Sequence, residues 1–301
     1  MIRAWLLLAL LLVFVVGLVW LFTTPAKVSA IELTPYAPDL DNGKTMFNAG
    51  GCASCHAPNP KERNRLGGGM ALKSPFGTFY SPNISPHPGD GIGGWSEADF
   101  LTAMWKGTSP GGLHYYPVFP YTSYQRMRLS DVRDLFAYLK TLPPVEGKVR
   151  SHNLPVYLRV RRAVGVWKFL FLDGRQFARD PTQSEEWNRG AYLVTGPAHC
   201  AECHSPRNVF GAIVSTQRFA GGPDPEGSDG WIPNITAAGI GDYAQEDIVR
   251  VLESGDLPNG DSVGGAMRGV VRNTAELSAD DRRAIAAYIK SLPPVEGPTR
   301  R

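Results

Sequence analysis

Every cysteine of this 301-residue chain falls in one of two short strings, Cys52-Ala53-Ser54-Cys55-His56 and Cys200-Ala201-Glu202-Cys203-His204. Two thiols three positions apart share one helical turn and can add to the two vinyl groups of a single porphyrin. The adjacent imidazole then faces the iron as proximal ligand. Other chemistries fit the spacing less well. A zinc ion shared by two C-x-x-C pairs needs a far shorter gap between the pairs. A redox dithiol needs neither the adjacent His nor a second copy, and a bridge across three residues is strained. The spacing therefore assigns Cys52, Cys55, His56, Cys200, Cys203 and His204 to two covalently bound haem c groups, with His56 and His204 on the irons.

A sixth ligand for the second iron can also be read from the residues. Met267 is the only methionine after His204, and it sits in the glycine-rich string VGGAMRGVV, where a loop can wrap the far face of a haem. A methionine filling a core gap is the bland alternative, and it is weak in so glycine-rich a loop.

The elements that must carry these residues occur twice. LKTLPPVEG at 139–147 returns as IKSLPPVEG at 289–297, SPNIS at 81–85 as IPNIT at 232–236, and RLGGG at 65–69 as RFAGG at 218–222. Repeated strings at a domain-sized interval mark a duplicated unit. GWSEADFLTAMWKG and DYAQEDIVRVLESG are paired amphipathic helices. In the first, Ser96 is set to cap with Asp99 at the third position, a Trp95–Phe100 staple crosses the cap, and Phe100, Leu101, Met104 and Trp105 form one apolar face. Ile248, Val249 and Leu252 match that face in the second. The final helices carry Leu135, Tyr138, Leu139 and Leu142, and Ile285, Tyr288, Ile289 and Leu292; each stops at Pro-Pro, which cannot continue a helix. The expected fold is all-α: two tandem haem domains over 38–147 and 185–297, joined by a linker at 148–184. Within the linker, residues 160–172 read as a helix with Val160, Ala163, Val164, Trp167, Leu170 and Phe171 on one face. It is too short and too charged to span a membrane, and packing between the domains is favoured over contact with a membrane surface or partner.

Residues 4–22 contain no charge, follow Arg3 and precede TTPAKVSA. That length suits a single transmembrane helix, with residues 1–30 as anchor; a cleaved signal ending at Val28-Ser29-Ala30 is the other reading. Either way the body is exported, and an anchor with Arg3 inside places the haem domains on the periplasmic side of the inner membrane. There are 33 glycines and 25 prolines, against a usual combined share of about 12%, so loops are abundant. A net charge of +3 without a long basic run excludes nucleic acid as the expected partner.

The stretches 169–208, 74–100 and YPVFPYTSY at 116–124 closely resemble the cytochrome c subunits of membrane-bound periplasmic dehydrogenases for alcohols, gluconate and aldehydes. The resemblance implies tandem cytochrome c domains and electron relay from dehydrogenase subunits to a downstream acceptor, quinone or a terminal oxidase chain, with no catalytic residues of its own. The rival readings are a dihaem subunit of a terminal oxidase and a dihaem peroxidase or thiosulfate-oxidising enzyme. There are two departures from the family pattern. Those subunits generally carry three haems where this chain has two motifs, and Phe119 stands where the family commonly has its distal methionine. Among Met70, His87, Met104, His114 and Met127, the expected replacement is Met127. Aligning Ser130 and Ser278 as helix caps frees it to face the iron, while His87 and His114 lie in turn-rich segments expected to be exposed.

Overall fold

The computed structural model describes residues 2–227 and 229–300. Helix α1 (Ile2–Phe22) has no buried residue and is the one helix among the described residues long and apolar enough to cross a membrane. At about 1.5 Å per residue its length matches the roughly 30 Å hydrocarbon core of a bilayer.

Beyond α1 the chain makes a helical frame twice. The first round contains α2 (Leu40–Ala49), the one-turn α3 (Cys52–His56), α4 (Glu97–Lys106), the short α5 (Tyr121–Tyr124) and α6 (Leu129–Thr141). Helix α7 (Ala163–Phe171) lies between the rounds. The second has α8 (Glu185–Thr195), a 3₁₀ turn at Cys200–Glu202, the short α9 (Ala237–Ile240), α10 (Gln245–Glu253), α11 (Met267–Thr274) and α12 (Ala279–Lys290). Two short antiparallel hairpins interrupt the expected all-helical pattern: β1 (Ala71–Ser74) with β2 (Gly77–Tyr80), and β3 (Gly222–Pro223) with β4 (Trp231–Ile232).

Local chemistry sets the helix starts. Asp39 accepts from the amides of Asp41 and Asn42 to begin α2, and Ser96 and Asp99 close a reciprocal capping box on α4. Phe100, Leu101 and Met104 bury the predicted apolar face of α4, as Ile248 and Leu252 do for α10. Trp105 is only partly buried and donates through Nε1 to the Met127 carbonyl at 3.1 Å.

The first and last helices of each round cross in contact, α2 on α6 and α8 on α12. Glycine makes both crossings possible. A Cβ at Gly43 would stand 2.3 Å from the Asp134 carbonyl oxygen, and one at Gly190 1.9 Å from that of Ala284. Alanine gains about 1 kcal/mol in helix propensity over glycine, but a backbone clash of this size costs about 3 kcal/mol or more. Gly190→Ala should therefore lower the thermal midpoint of the haem-loaded chain markedly; an unchanged midpoint would show that the helices can separate at no cost.

Helix α7 covers only part of the apolar face expected of it: Val164 is buried, and Trp167 and Phe171 are partly buried against Tyr121 and Phe210. Its inward side carries Val164, Gly165 and Lys168, while Val160, Ala163 and Leu170 are exposed. It packs against the end of α1, with Phe169 and Phe22 ring centroids 5.4 Å apart, and it touches the second round through Phe171 and Phe210. His114, expected to be exposed, is buried at this junction. Its Nε2–H donates to the Thr23 carbonyl at 2.9 Å, and its Nδ1 accepts from Lys168 Nζ at 3.0 Å. Lys168 also donates to the Gly107 carbonyl and the Thr108 hydroxyl, both at 3.1 Å.

Burial pulls the Lys168 ammonium down to about 8. Below that value the lysine is charged in both folded and unfolded chains. Between about 8 and its ordinary value near 10.4 only the unfolded chain holds the proton, so stability rises with pH. The expected gain is at most about 3 kcal/mol at 1.36 kcal/mol per unit. Denaturant midpoints across this window should rise in the parent relative to Lys168→Met, and parallel profiles would refute the assignment.

Candidate haem-binding site

Gly51 (φ +59°) ends the chain's run out of α2 and starts α3, where Cys52, Cys55 and His56 occupy one turn. His199 takes the same left-handed conformation (φ 41°) ahead of Cys200, a conformation that costs a non-glycine residue about 1 kcal/mol or more. All four cysteines are free and partly exposed. Burial pushes the Cys52 and Cys200 thiols up to about 12 and Cys203 to about 11, and it raises Cys55 as well.

The imidazoles are poised differently. His56 Nδ1–H donates to the Pro82 carbonyl and His204 Nδ1–H to the Pro233 carbonyl, each at 2.8 Å. With the proton held at Nδ1, the lone pair is left on Nε2, where an iron would bind. Burial lowers both imidazole pKa values and so favours this neutral form.

The two supporting carbonyls are themselves held, and by the repeated strings. After Pro82, Asn83 Nδ2 donates to the Val145 carbonyl at 2.7 Å and the Ser85 hydroxyl accepts from the Val145 amide at 2.9 Å. After Pro233, Asn234 Nδ2 donates to the Val295 carbonyl at 2.8 Å and the Thr236 hydroxyl accepts from the Val295 amide at 3.1 Å. Pro-Pro-Val therefore does more than stop the final helix: its valine fastens the loop whose carbonyl holds the Cys-x-x-Cys-His imidazole. Sequence reading saw both repeats but not that they bind each other. Their joint recurrence was the available signal.

Met267 begins α11 and is partly buried against the core. Counting forward from the paired bridges Thr108–His114 and Asp256–Ser262, the residue opposite it is Phe119. Met127 is 1% exposed. The cap argument offered for it fails: Ser278 does cap α12, accepting from the Asp281 amide at 3.0 Å, but α6 starts at Leu129 with Arg128 before it. Met127 thus stands opposite Leu277, at the position that packs beneath the start of the last helix. Met104 is buried on α4, Met70 is partly exposed on the loop before β1, and His87 is partly exposed with its Nδ1 accepting from the Asp90 amide.

The two attachment turns are fastened to each other. His199, one residue before Cys200, places its Nε2 3.2 Å from the carbonyl of Gly50, two residues before Cys52. Ser54, inside the first turn, donates to the Gly269 carbonyl at 3.2 Å and accepts from Asn273 Nδ2 at 2.7 Å; both partners lie on α11, just after Met267. The reverse contact has the same form. Glu202, inside the second turn, accepts from the hydroxyls of Thr122 (2.7 Å) and Ser123 (3.1 Å) on α5, just after Phe119. Burial works to raise the Glu202 carboxyl, but Arg207 at 2.7 Å and these hydroxyls outweigh it and hold it below its ordinary value. A short helix late in each round, α5 or α11, therefore seats on the other round's Cys-x-x-Cys-His turn.

The cytochrome c family description matches residues 40–143. A dihaem cytochrome c-type protein of Cereibacter sphaeroides is 46% identical over 292 residues, covering 96% of this chain and 97% of that one. The chain belongs to the cytochrome c family. This cytochrome is also 33% identical over 279 residues to the fructose dehydrogenase cytochrome subunit of Gluconobacter japonicus, and 34% identical over 266 residues to the alcohol dehydrogenase (quinone) cytochrome c subunit of Gluconobacter oxydans. It spans 90% and 85% of its own length in those two matches, but only 56% and 55% of theirs. The residues of each turn suit haem c: paired thiols on one turn and an imidazole whose Nε2 is free, supported behind by a fixed carbonyl.

Proposed function

We propose that this cytochrome carries two haem c groups and passes single electrons between them as the relay of a membrane-bound dehydrogenase. When bound, haem c supplies a one-electron iron couple. The chain's own part is to hold and tune it. Cys52 with Cys55, and Cys200 with Cys203, anchor the porphyrins; His56 and His204 are the proximal ligands; Met267 and Met127 are the distal ones. The units carrying the haems are residues 38–147 and 185–297.

What supports this reading is the hydrogen bonding between the two rounds beside the attachment turns: Gly50 with His199, Ser54 with α11, and Glu202 with α5. A relay needs its two cofactor sites close together, and these contacts join the segments that would carry them. With His56 and Met127 on one iron and His204 and Met267 on the other, neither iron would keep an open position for a substrate.

Helix α1 anchors the protein as a single span of the inner membrane, with the haem units in the periplasm. A periplasmic or membrane dehydrogenase supplies the electrons, and quinone or a terminal oxidase chain receives them. Purified, haem-loaded protein should reduce and reoxidise without appreciable turnover of hydrogen peroxide or thiosulfate. Robust turnover of either by the protein alone would replace this reading with an enzymatic one.

A further inference from the structure

The linker and a loop of the second unit expose apolar side chains, and the linker meets α1 where Phe169 packs on Phe22. Tyr157 is 72% exposed, Phe169 61% and Val209 85%, all far above what a monomer's core-facing residues show. Phe22 at the end of α1 packs on Phe169, Trp167 and Phe171 have ring centroids 5.2 Å apart, and Phe171 is followed by Phe210 at 6.3 Å. Trp167 Nε1 also donates to the Phe210 carbonyl at 2.9 Å, so the 209–210 loop is fastened to α7.

The level of this surface relative to α1 is fixed. The Arg162 guanidinium stacks 4.1 Å over the Trp20 ring and donates to the Thr23 hydroxyl at 3.0 Å and to the Trp20 carbonyl. His114 holds the Thr23 carbonyl from the other side. Tryptophan and arginine at the end of a span mark the headgroup region. Helix α7 leaves α1 at that point, exposing Ala163, Val166 and Leu170 along its outer side, and Arg159 beside them is also exposed.

From this we infer that α7, the 156–160 segment and the Val209–Phe210 loop lie in the lipid headgroup–acyl boundary beside α1, so that both haem units are held at a fixed orientation on the bilayer. The inference rests on the reading of α1 as a membrane span. A bilayer is the occupant because the exposed side chains begin at the last turn of α1, run along the linker to the second unit, and include exposed arginine beside them, as in an interfacial amphipathic segment. An exposed apolar area of this extent is otherwise unusual on a monomer.

The test uses the full haem-loaded chain, without other proteins, in nanodiscs of phosphatidylcholine and phosphatidylglycerol doped with a diazirine phospholipid. After irradiation, lipid adducts are mapped by peptide mass spectrometry. Adducts are expected on α1, on the 156–171 peptides and on the Val209–Phe210 loop, and not on the exposed 258–262 loop. The variant Val166→Glu/Leu170→Glu should lose the α7 adducts, keep those on α1 and keep the parent haem spectrum. Adducts confined to α1 would overturn the inference while leaving the anchor intact. Their absence from α1 as well would overturn the anchor and the inference together.

Discussion

Protein matured with haem should gain the mass of two porphyrins, and Cys200→Ala/Cys203→Ala should retain one. The expectation follows from the geometry of each turn rather than from the motif alone. Both histidines hold a proton on Nδ1 against a proline carbonyl of their own round, so each imidazole is oriented without the other round's histidine. The remaining haem of the variant should therefore keep its proximal ligand. Losing a covalent cofactor from a core should also cost the variant much of its stability, because binding that favours only the folded chain adds directly to its free energy. A parent mass showing one porphyrin, or none, would remove the two-haem account; a variant that still carried two would remove the assignment of the second site.

The second large effect concerns the distal thioethers. Met267→Ala should abolish the near-infrared sulfur-to-iron band of the second haem and lower its potential, since a thioether ligand raises the potential relative to a second histidine. For the first haem the informative change is Met127→Leu. Leucine is what the second round places there, as Leu277, and a swap of similar volume costs the core under about 1.5 kcal/mol. A fold that survives while the first haem alone turns high-spin identifies Met127 as its ligand. An unchanged first haem would leave Met127 as a core residue matching Leu277, and loss of ligation in Met104→Leu instead would move the assignment to α4.

The helical frame was legible because its signals are local: the capping box at Ser96, the apolar faces of α4 and α10, and the Pro-Pro stops all act within a few residues. The attachment residues were legible because thioether chemistry dictates their spacing. What was missed depends on contacts between distant segments. The burial of His114 is set by Thr23 and Lys168, far along the chain in either direction. The role of Val145 and Val295 appears only when each final string folds back on its Pro-Asn-Ile loop. The cap argument for Met127 went astray because Ser130 and Ser278 look alike in sequence, although only Ser278 precedes its helix; Ser130 lies inside α6. The packing of α7 between the units, through Trp167 on Tyr121 and Phe171 on Phe210, followed the sequence. The exposure of Val160, Ala163 and Leu170 did not, because periodicity shows that a helix has an apolar face, not how much of it is covered.

A potentiometric titration of the full chain in membranes, followed through the visible haem bands and the near-infrared sulfur-to-iron band, tests the relay most directly. The account predicts two one-electron transitions, both from low-spin haems, with the near-infrared band lost in two steps as the haems are reduced. A single transition, or a haem that is high-spin and binds added ligand at rest, would contradict it.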